Sequence, residues 1–159
     1  MYHTHVNDVR QMRGGLFAPL LVLEPGANWD RERDLVFLTG QNRELEAVIN
    51  GTSKPYTLTM TQGETYRFRF MNITMTFPNV EYFLVRDGGP TQRWTPLAQD
   101  GFDLPVWRRV PAPARQQVTI GTTYDFEVRP GQVGNLKLEL RGGGGNLLVT
   151  QPIVVKKRS

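Results

Sequence analysis

Glu64-Thr65-Tyr66-Arg67-Phe68-Arg69-Phe70 decides how this chain is to be read. Large apolar rings fall at every second position, with arginines between them. Side chains on a strand alternate between its two faces. Tyr66, Phe68 and Phe70 are therefore expected to face a core, with Arg67 and Arg69 facing outward. Tyr124-Asp125-Phe126-Glu127-Val128-Arg129 and Leu136-Lys137-Leu138-Glu139-Leu140-Arg141 alternate in the same way. A period of two is the mark of half-buried antiparallel strands.

Outward from these three, short runs rich in Val, Leu, Phe, Tyr and Thr are separated by Gly, Pro, Asn and Asp. Strands are expected at 16–23, 34–39, 47–50, 56–60, 81–86, 92–98, 117–120, 146–150 and 153–156. Turns are expected at Asn50-Gly51, Gln62-Gly63, Asp87-Gly88-Gly89-Pro90, Asp100-Gly101, Pro130-Gly131 and Gly142 to Gly145. No window carries a convincing helical period. Many short strands at near-regular spacing predict an all-β protein, a Greek-key β-sandwich. Thr61-Gln62-Gly63-Glu64-Thr65-Tyr66 and Thr119-Ile120-Gly121-Thr122-Thr123-Tyr124 share the pattern Thr-x-Gly-x-Thr-Tyr. Two echoes are too few for a solenoid and read as two similar strand connections.

Glu24-Pro25-Gly26-Ala27-Asn28 marks a boundary, and a polar, charged stretch from Trp29 to Arg33 follows it. The residues before it hold one or two strands, too few for a stable sheet. The expected organisation is residues 1–26 as the C-terminal remnant of one β domain and residues 30–159 as a complete second one.

The length suits one domain, or one with a small appendage. Hydrophobic residues make up 39% of the chain, enough for a core. Lys and Arg number 19 against 15 Asp and Glu, a net charge of +4. The two signs are interleaved, and the one basic cluster, Lys156-Lys157-Arg158, reads as a solvated end rather than a nucleic-acid surface. No apolar run approaches the ~20 residues that span a bilayer, and nothing frames the first apolar run as a signal peptide. Neither nucleic acid nor membrane is therefore expected as a partner. Cysteine is absent, which excludes a disulfide framework, thiolate metal ligands and a cysteine nucleophile.

The only two histidines, His3 and His5, share the tripeptide His3-Thr4-His5. Positions i and i+2 of a strand share a face, so both imidazoles would aim at one spot. Imidazole suits copper, zinc, nickel and iron. The residues alone leave two readings open: a pair of metal ligands, or an exposed terminal strand without function. Asp8 is available as a further carboxylate, or as a turn residue.

The order of motifs resembles that of the multicopper oxidases, laccase-like enzymes built from cupredoxin domains. Tyr2-His3-Thr4-His5, Gln11 and Gly15-Leu16-Phe17-Ala18-Pro19-Leu20-Leu21-Val22 match the end of the family's first cupredoxin domain. Val48-Ile49-Asn50-Gly51, Gly63-Glu64-Thr65-Tyr66-Arg67-Phe68-Arg69-Phe70-Met71-Asn72, Asp100-Gly101 and Gly121-Thr122-Thr123-Tyr124-Asp125-Phe126 match its following, linker-type domain. The resemblance implies a cupredoxin-like sandwich over 30–159, preceded by one or two strands of a truncated neighbouring cupredoxin domain. It implies copper as cofactor, with His3 and His5 each binding one ion of the type 3 pair. It also implies a parent activity in which one-electron substrate oxidations feed the reduction of dioxygen to water. The other histidine motifs and the type 1 Cys are missing, so the chain reads as an internal piece, or as a split or truncated gene product, inactive alone. Its implied partners are other cupredoxin domains or a second chain, and the family's usual location would be periplasmic or secreted.

Other constellations are weaker. Asp100-Gly101-Phe102-Asp103 lacks the remaining positions of a calcium loop. Glu44 and Glu46 show no sign of facing each other across a cleft as a glycosidase pair would. Gly142 to Gly145 has no lysine or following helix to make it a phosphate cradle. Arg108 and Arg109 beside Trp107 read as a surface or interdomain feature, and Trp29, Trp94 and Trp107 as core or domain-contact residues. The rival to the oxidase reading is a metal-free sandwich that pairs with another chain through an open edge.

Overall fold

Tyr66, Phe68 and Phe70 lie side by side on the inner face of one sheet of a two-sheet sandwich. The computed structural model describes residues 1–158; Ser159, the last residue of the expected second domain, lies outside them. The chain begins with strand β1 (Tyr2–His3), helix α1 (Asp8–Arg13) and strand β2 (Phe17–Ala18). Then follow β3 (Asp34–Gln41), β4 (Ala47–Ile49), β5 (Leu58–Thr61), β6 (Tyr66–Asn72), β7 (Asn79–Arg86), β8 (Arg93–Gln99) and β9 (Phe102–Asp103). A 3-10 turn at Val106–Arg108 leads to β10 (Ala112–Pro113), β11 (Arg115–Thr119), β12 (Thr123–Val128), β13 (Gly134–Gly142) and β14 (Leu147–Lys156).

One sheet runs β10-β8-β12-β6-β3-β4, with β9 also on β8, and the other runs β11-β7-β13-β14-β5. After β4 the chain changes sheet at every connection except β8–β9, β9–β10 and β13–β14. A strand can then re-enter a sheet in the direction it left, and β3 with β6, like β5 with β14, pairs in parallel. The sheets are therefore mixed rather than purely antiparallel. No helix among the described residues is long and apolar enough to cross a membrane.

The alternation reads correctly on its apolar side. Phe37, Phe68, Phe70, Tyr82, Trp94 and Phe126 interlock in one cluster between the sheets, with Phe70 stacked on Tyr82 at 4.2 Å and Trp94 on Phe126 at 4.4 Å. Each such ring contributes about 1.5–3 kcal/mol by leaving water.

Its polar side faces outward as expected, and there it is paired. Arg67 and Arg69 point to the outer face, yet Arg69 is only 15% exposed. Arg69 holds both oxygens of Asp34 (Nε–Oδ1 2.5 Å, Nη2–Oδ2 2.7 Å) and also reaches Asp125 at 2.7 Å. Arg67 donates twice to the same Asp125 oxygen, at 2.9 and 2.6 Å. Beside this network Leu38, Met71 and Ile73 form an outward apolar patch, and Met12 of α1, Phe17 and Leu21 cover it. The N-terminal segment thus acts as a partial third layer.

Three further readings are corrected. Residues 8–13 form a helix where none was expected, because six residues are too few to display a period. The strand expected at 16–23 shrinks to Phe17–Ala18, since only β1 is there to pair with it. The two strands expected at 146–150 and 153–156 are one, β14, and Pro152 falls one residue before its pairing with β5 begins. Of the three tryptophans Trp94 is core, while Trp107 is 76% exposed and Trp29 partly exposed, with its indole N–H donating to the Asp34 carbonyl at 2.9 Å.

Asn50-Gly51 forms the expected turn, with φ of 50° and 84°. The Asn50 amide also accepts from Leu38 N–H at 2.9 Å and donates to the Val36 carbonyl at 2.7 Å, so it stands in for a strand neighbour along β3.

Candidate metal centre

His3 is the last residue of β1, which pairs antiparallel with β2 through Tyr2 opposite Ala18 and His3 opposite Phe17. His5 lies just beyond the strand, yet its ring returns to His3. The two ring centroids are 4.5 Å apart, with planes tilted by 40°. His3 is half-buried and His5 exposed.

The turn that brings them together is built on Thr4. Its hydroxyl donates to the side-chain carbonyl of Gln11 on α1 and accepts from the Val6 N–H at 3.3 Å. The helix, missed in the sequence reading, therefore braces the tripeptide from behind. His3 Nδ1 lies 3.0 Å from the Thr4 carbonyl. This bond places the ring proton on Nδ1 and leaves Nε2 with a free lone pair, as a metal-ligating imidazole requires.

Among the described residues no group of three or more His, Cys, Asp or Glu is placed to hold a metal ion. Asp8 begins α1 and its carboxylate accepts from the Val9 N–H at 2.8 Å, so it does not complete the pair. The donor set, two imidazoles, fits copper in chemistry and supplies only part of a coordination sphere.

The remaining candidates lie elsewhere. Asp100 and Gly101 form the turn between β8 and β9, where Asp100 Oδ1 accepts from the Thr123 N–H at 2.9 Å. Asp103 pairs with Arg109 at 3.1 Å. Glu44 and Glu46 sit in the exposed turn before β4, not on a strand, and Glu46 accepts from Asn42 at 2.9 Å. Gly142 to Gly145 turns the β13–β14 hairpin, as expected. Sequence reasoning missed the Asp34–Arg69–Asp125–Arg67 network. The sole signal for it was the opposite charge at matched places of two alternating strands. Burial pushes the Asp125 pKa up, with Arg69 and Arg67 pulling against it. Burial also opposes the charge on Arg69, but bonds and attraction to Asp34 and Asp125 outweigh it and raise the Arg69 pKa.

The strand order and the face-to-face sheets define a cupredoxin-like β-sandwich. The family model for multicopper oxidases matches residues 2–82, half of the chain, including both histidines and all of β6. The chain belongs to the multicopper oxidase family.

Its fold is similar to that of a multicopper oxidase from Pseudomonas thermotolerans, at 22% identity and TM-score 0.66, over 97% of this chain and 40% of that one. It is also similar to a laccase from Botrytis aclada, at 19% identity and TM-score 0.66, over 91% of this chain and 32% of that one. A third neighbour is a multicopper oxidase from the hyperthermophile Aquifex aeolicus, at 14% identity and TM-score 0.59, over 79% of this chain and 32% of that one. The chain spans less than half the length of each of these proteins. No curated protein matches it in sequence.

Proposed function

We propose that the chain is a segment of a copper-dependent oxidase in which residues 1–26 close one cupredoxin domain and residues 30–159 form the next. In this reading His3 and His5 are two ligands of the coupled type 3 copper pair, one for each ion. The observation that carries it is the meeting of the two rings, 4.5 Å apart, within the region that matches the family. Copper bound there supplies one-electron redox chemistry for the reduction of dioxygen to water. The chain's own residues hold two donors side by side, with the His3 Nδ1–H tied to Thr4 and the turn tied to α1 through Gln11. Two imidazoles and no cysteine leave a type 1 site without its thiolate, so the segment alone is proposed to be inactive.

Cu(II) titration followed by electron paramagnetic resonance tests the half-site. The wild type should show one weak, exchangeable site with nitrogen couplings, and His3→Ala/His5→Ala should lose it. Equal binding in both proteins would remove the half-site. No oxygen uptake is expected from the copper-loaded segment with phenolic substrates.

A second reading, a metal-free interaction module, is favoured by the ribbon itself. Among the described residues β1 and β2 pair only with each other, which leaves both outer edges of the ribbon available to join another sheet. Other cupredoxin domains or a second chain are the partners this reading takes. Equal copper binding in wild type and double variant, with the ribbon edges protected from hydrogen exchange on adding a partner domain, would select it.

A further inference from the structure

Arg10 and Arg13 stand three residues apart on α1, which places them on one helical face. Arg43 reaches the same place from the turn between β3 and β4. With Asn7 and Val9 they line an open pocket of about 480 Å³, and no acidic side chain lines it. Among the described residues none of these three guanidinium groups takes part in an ion pair, whereas Arg67, Arg69, Arg109, Arg115 and Arg141 all do. Like charges gathered without a counter-ion repel.

A second observation points the same way. The Nε–H of Arg13 is buried and has no hydrogen-bond acceptor. Buried donors are nearly always satisfied, and a guanidinium cannot discard its proton to escape the cost. Among the described residues the chain offers this group no acceptor, and an oxyanion seated among the three arginines would supply one.

We propose that Arg10, Arg13 and Arg43 form a binding site for a phosphate-class oxyanion. Guanidinium forks match the spacing of phosphate oxygens and bond them in pairs. Three cations with no acid among them favour a dianion over a single carboxylate. The pocket is within the size range of small-molecule sites, and Val9 with the arginine stems offers apolar contact. It therefore takes phosphate borne on a small organic group as well as free phosphate. α1 has only six residues and is not counted as a source of attraction; the side chains carry the binding.

The test is calorimetric titration of the full chain with inorganic phosphate and, separately, with phenyl phosphate, at ionic strength held constant with chloride. One saturable site is expected, weakened about tenfold or more in Arg13→Gln and in Arg43→Gln. Tighter binding of phenyl phosphate identifies an organic phosphate as the ligand, and equal binding identifies the free ion. Arg43 lies on an exposed turn, so its variant keeps the fold, which circular dichroism verifies. The site is independent of copper: His3→Ala/His5→Ala should bind phosphate like the wild type. Absence of saturable binding would overturn the proposal. So would binding that survives both arginine variants but is lost in Lys156→Gln/Lys157→Gln.

Discussion

Asn72 shows how a single side chain ties the two sheets. It is fully buried, and its amide donates to the Val118 carbonyl at 2.9 Å and the Phe77 carbonyl at 3.3 Å. Its oxygen accepts from the Thr74 N–H and hydroxyl, both at 2.9 Å. Tyr82 is as deeply buried, with its hydroxyl bonded to that of Thr39. Burial pushes the Tyr82 pKa up well above the ordinary phenol value of 10.0, and the bond to Thr39 only partly opposes this. The fold holds this proton more firmly than the unfolded chain does. The stability it brings is fully present below pH 10, and is lost as pH rises above the unfolded value toward the folded one. Urea midpoints at about pH 8 and about pH 11 should therefore fall more for wild type than for Tyr82→Phe. Parallel losses would show that Tyr82 is not the group concerned.

At the scale of elements, the attachment of the N-terminal ribbon to the sandwich turns on Gly40. β3 turns this residue outward, and the Phe17 ring of β2 occupies the space a side chain would take. A Cβ on Gly40 would meet the Phe17 ring at 2.3 Å. Gly40→Ala should displace Phe17 and loosen β2, and with it β1, which pairs with no other strand among the described residues. The expected result is faster proteolysis within residues 1–26 while the sandwich beyond residue 34 stays resistant. Weaker Cu(II) binding should accompany it, since the His3–His5 turn rides on the ribbon. Unchanged cleavage would mean that Phe17 gives way locally. Resistance is expected at the opposite edge. The segment from β9 to β10 runs along β8 with Pro105, Pro111 and Pro113 in it, and prolines blunt an edge against further pairing.

At the scale of the whole molecule, charge on the outer face of the first sheet is balanced across distant strands. Arg69 joins Asp34 of β3 to Asp125 of β12, and Arg67 adds a second cation. Removing Arg69 strands the Asp34 carboxylate and leaves Asp125 with Arg67 alone. Arg69→Met should destabilise the protein by about 2 kcal/mol, less than for a fully buried pair because the network still touches water. Guanidinium-free urea unfolding measures it, and a loss below about 0.5 kcal/mol would place the network among weak surface pairs. The strand period, the inward rings and the Asn50-Gly51, Asp100-Gly101 and Gly142–Gly145 turns are legible in the chain alone, whereas His3 and His5 meet through a turn braced by α1 and not through strand alternation. The legible features follow from backbone alternation and short-range turn chemistry, which are local. That Arg67 and Arg69 are ion-paired on the outer face depends on the assembled fold, because Asp125 lies 58 residues from Arg67. The tertiary structure alone decided that residues 8–13 coil, that Phe17 seats on a glycine, and that Arg43 meets two arginines of α1. Those outcomes depend on which surfaces meet across the fold, and no stretch of a few residues carries that.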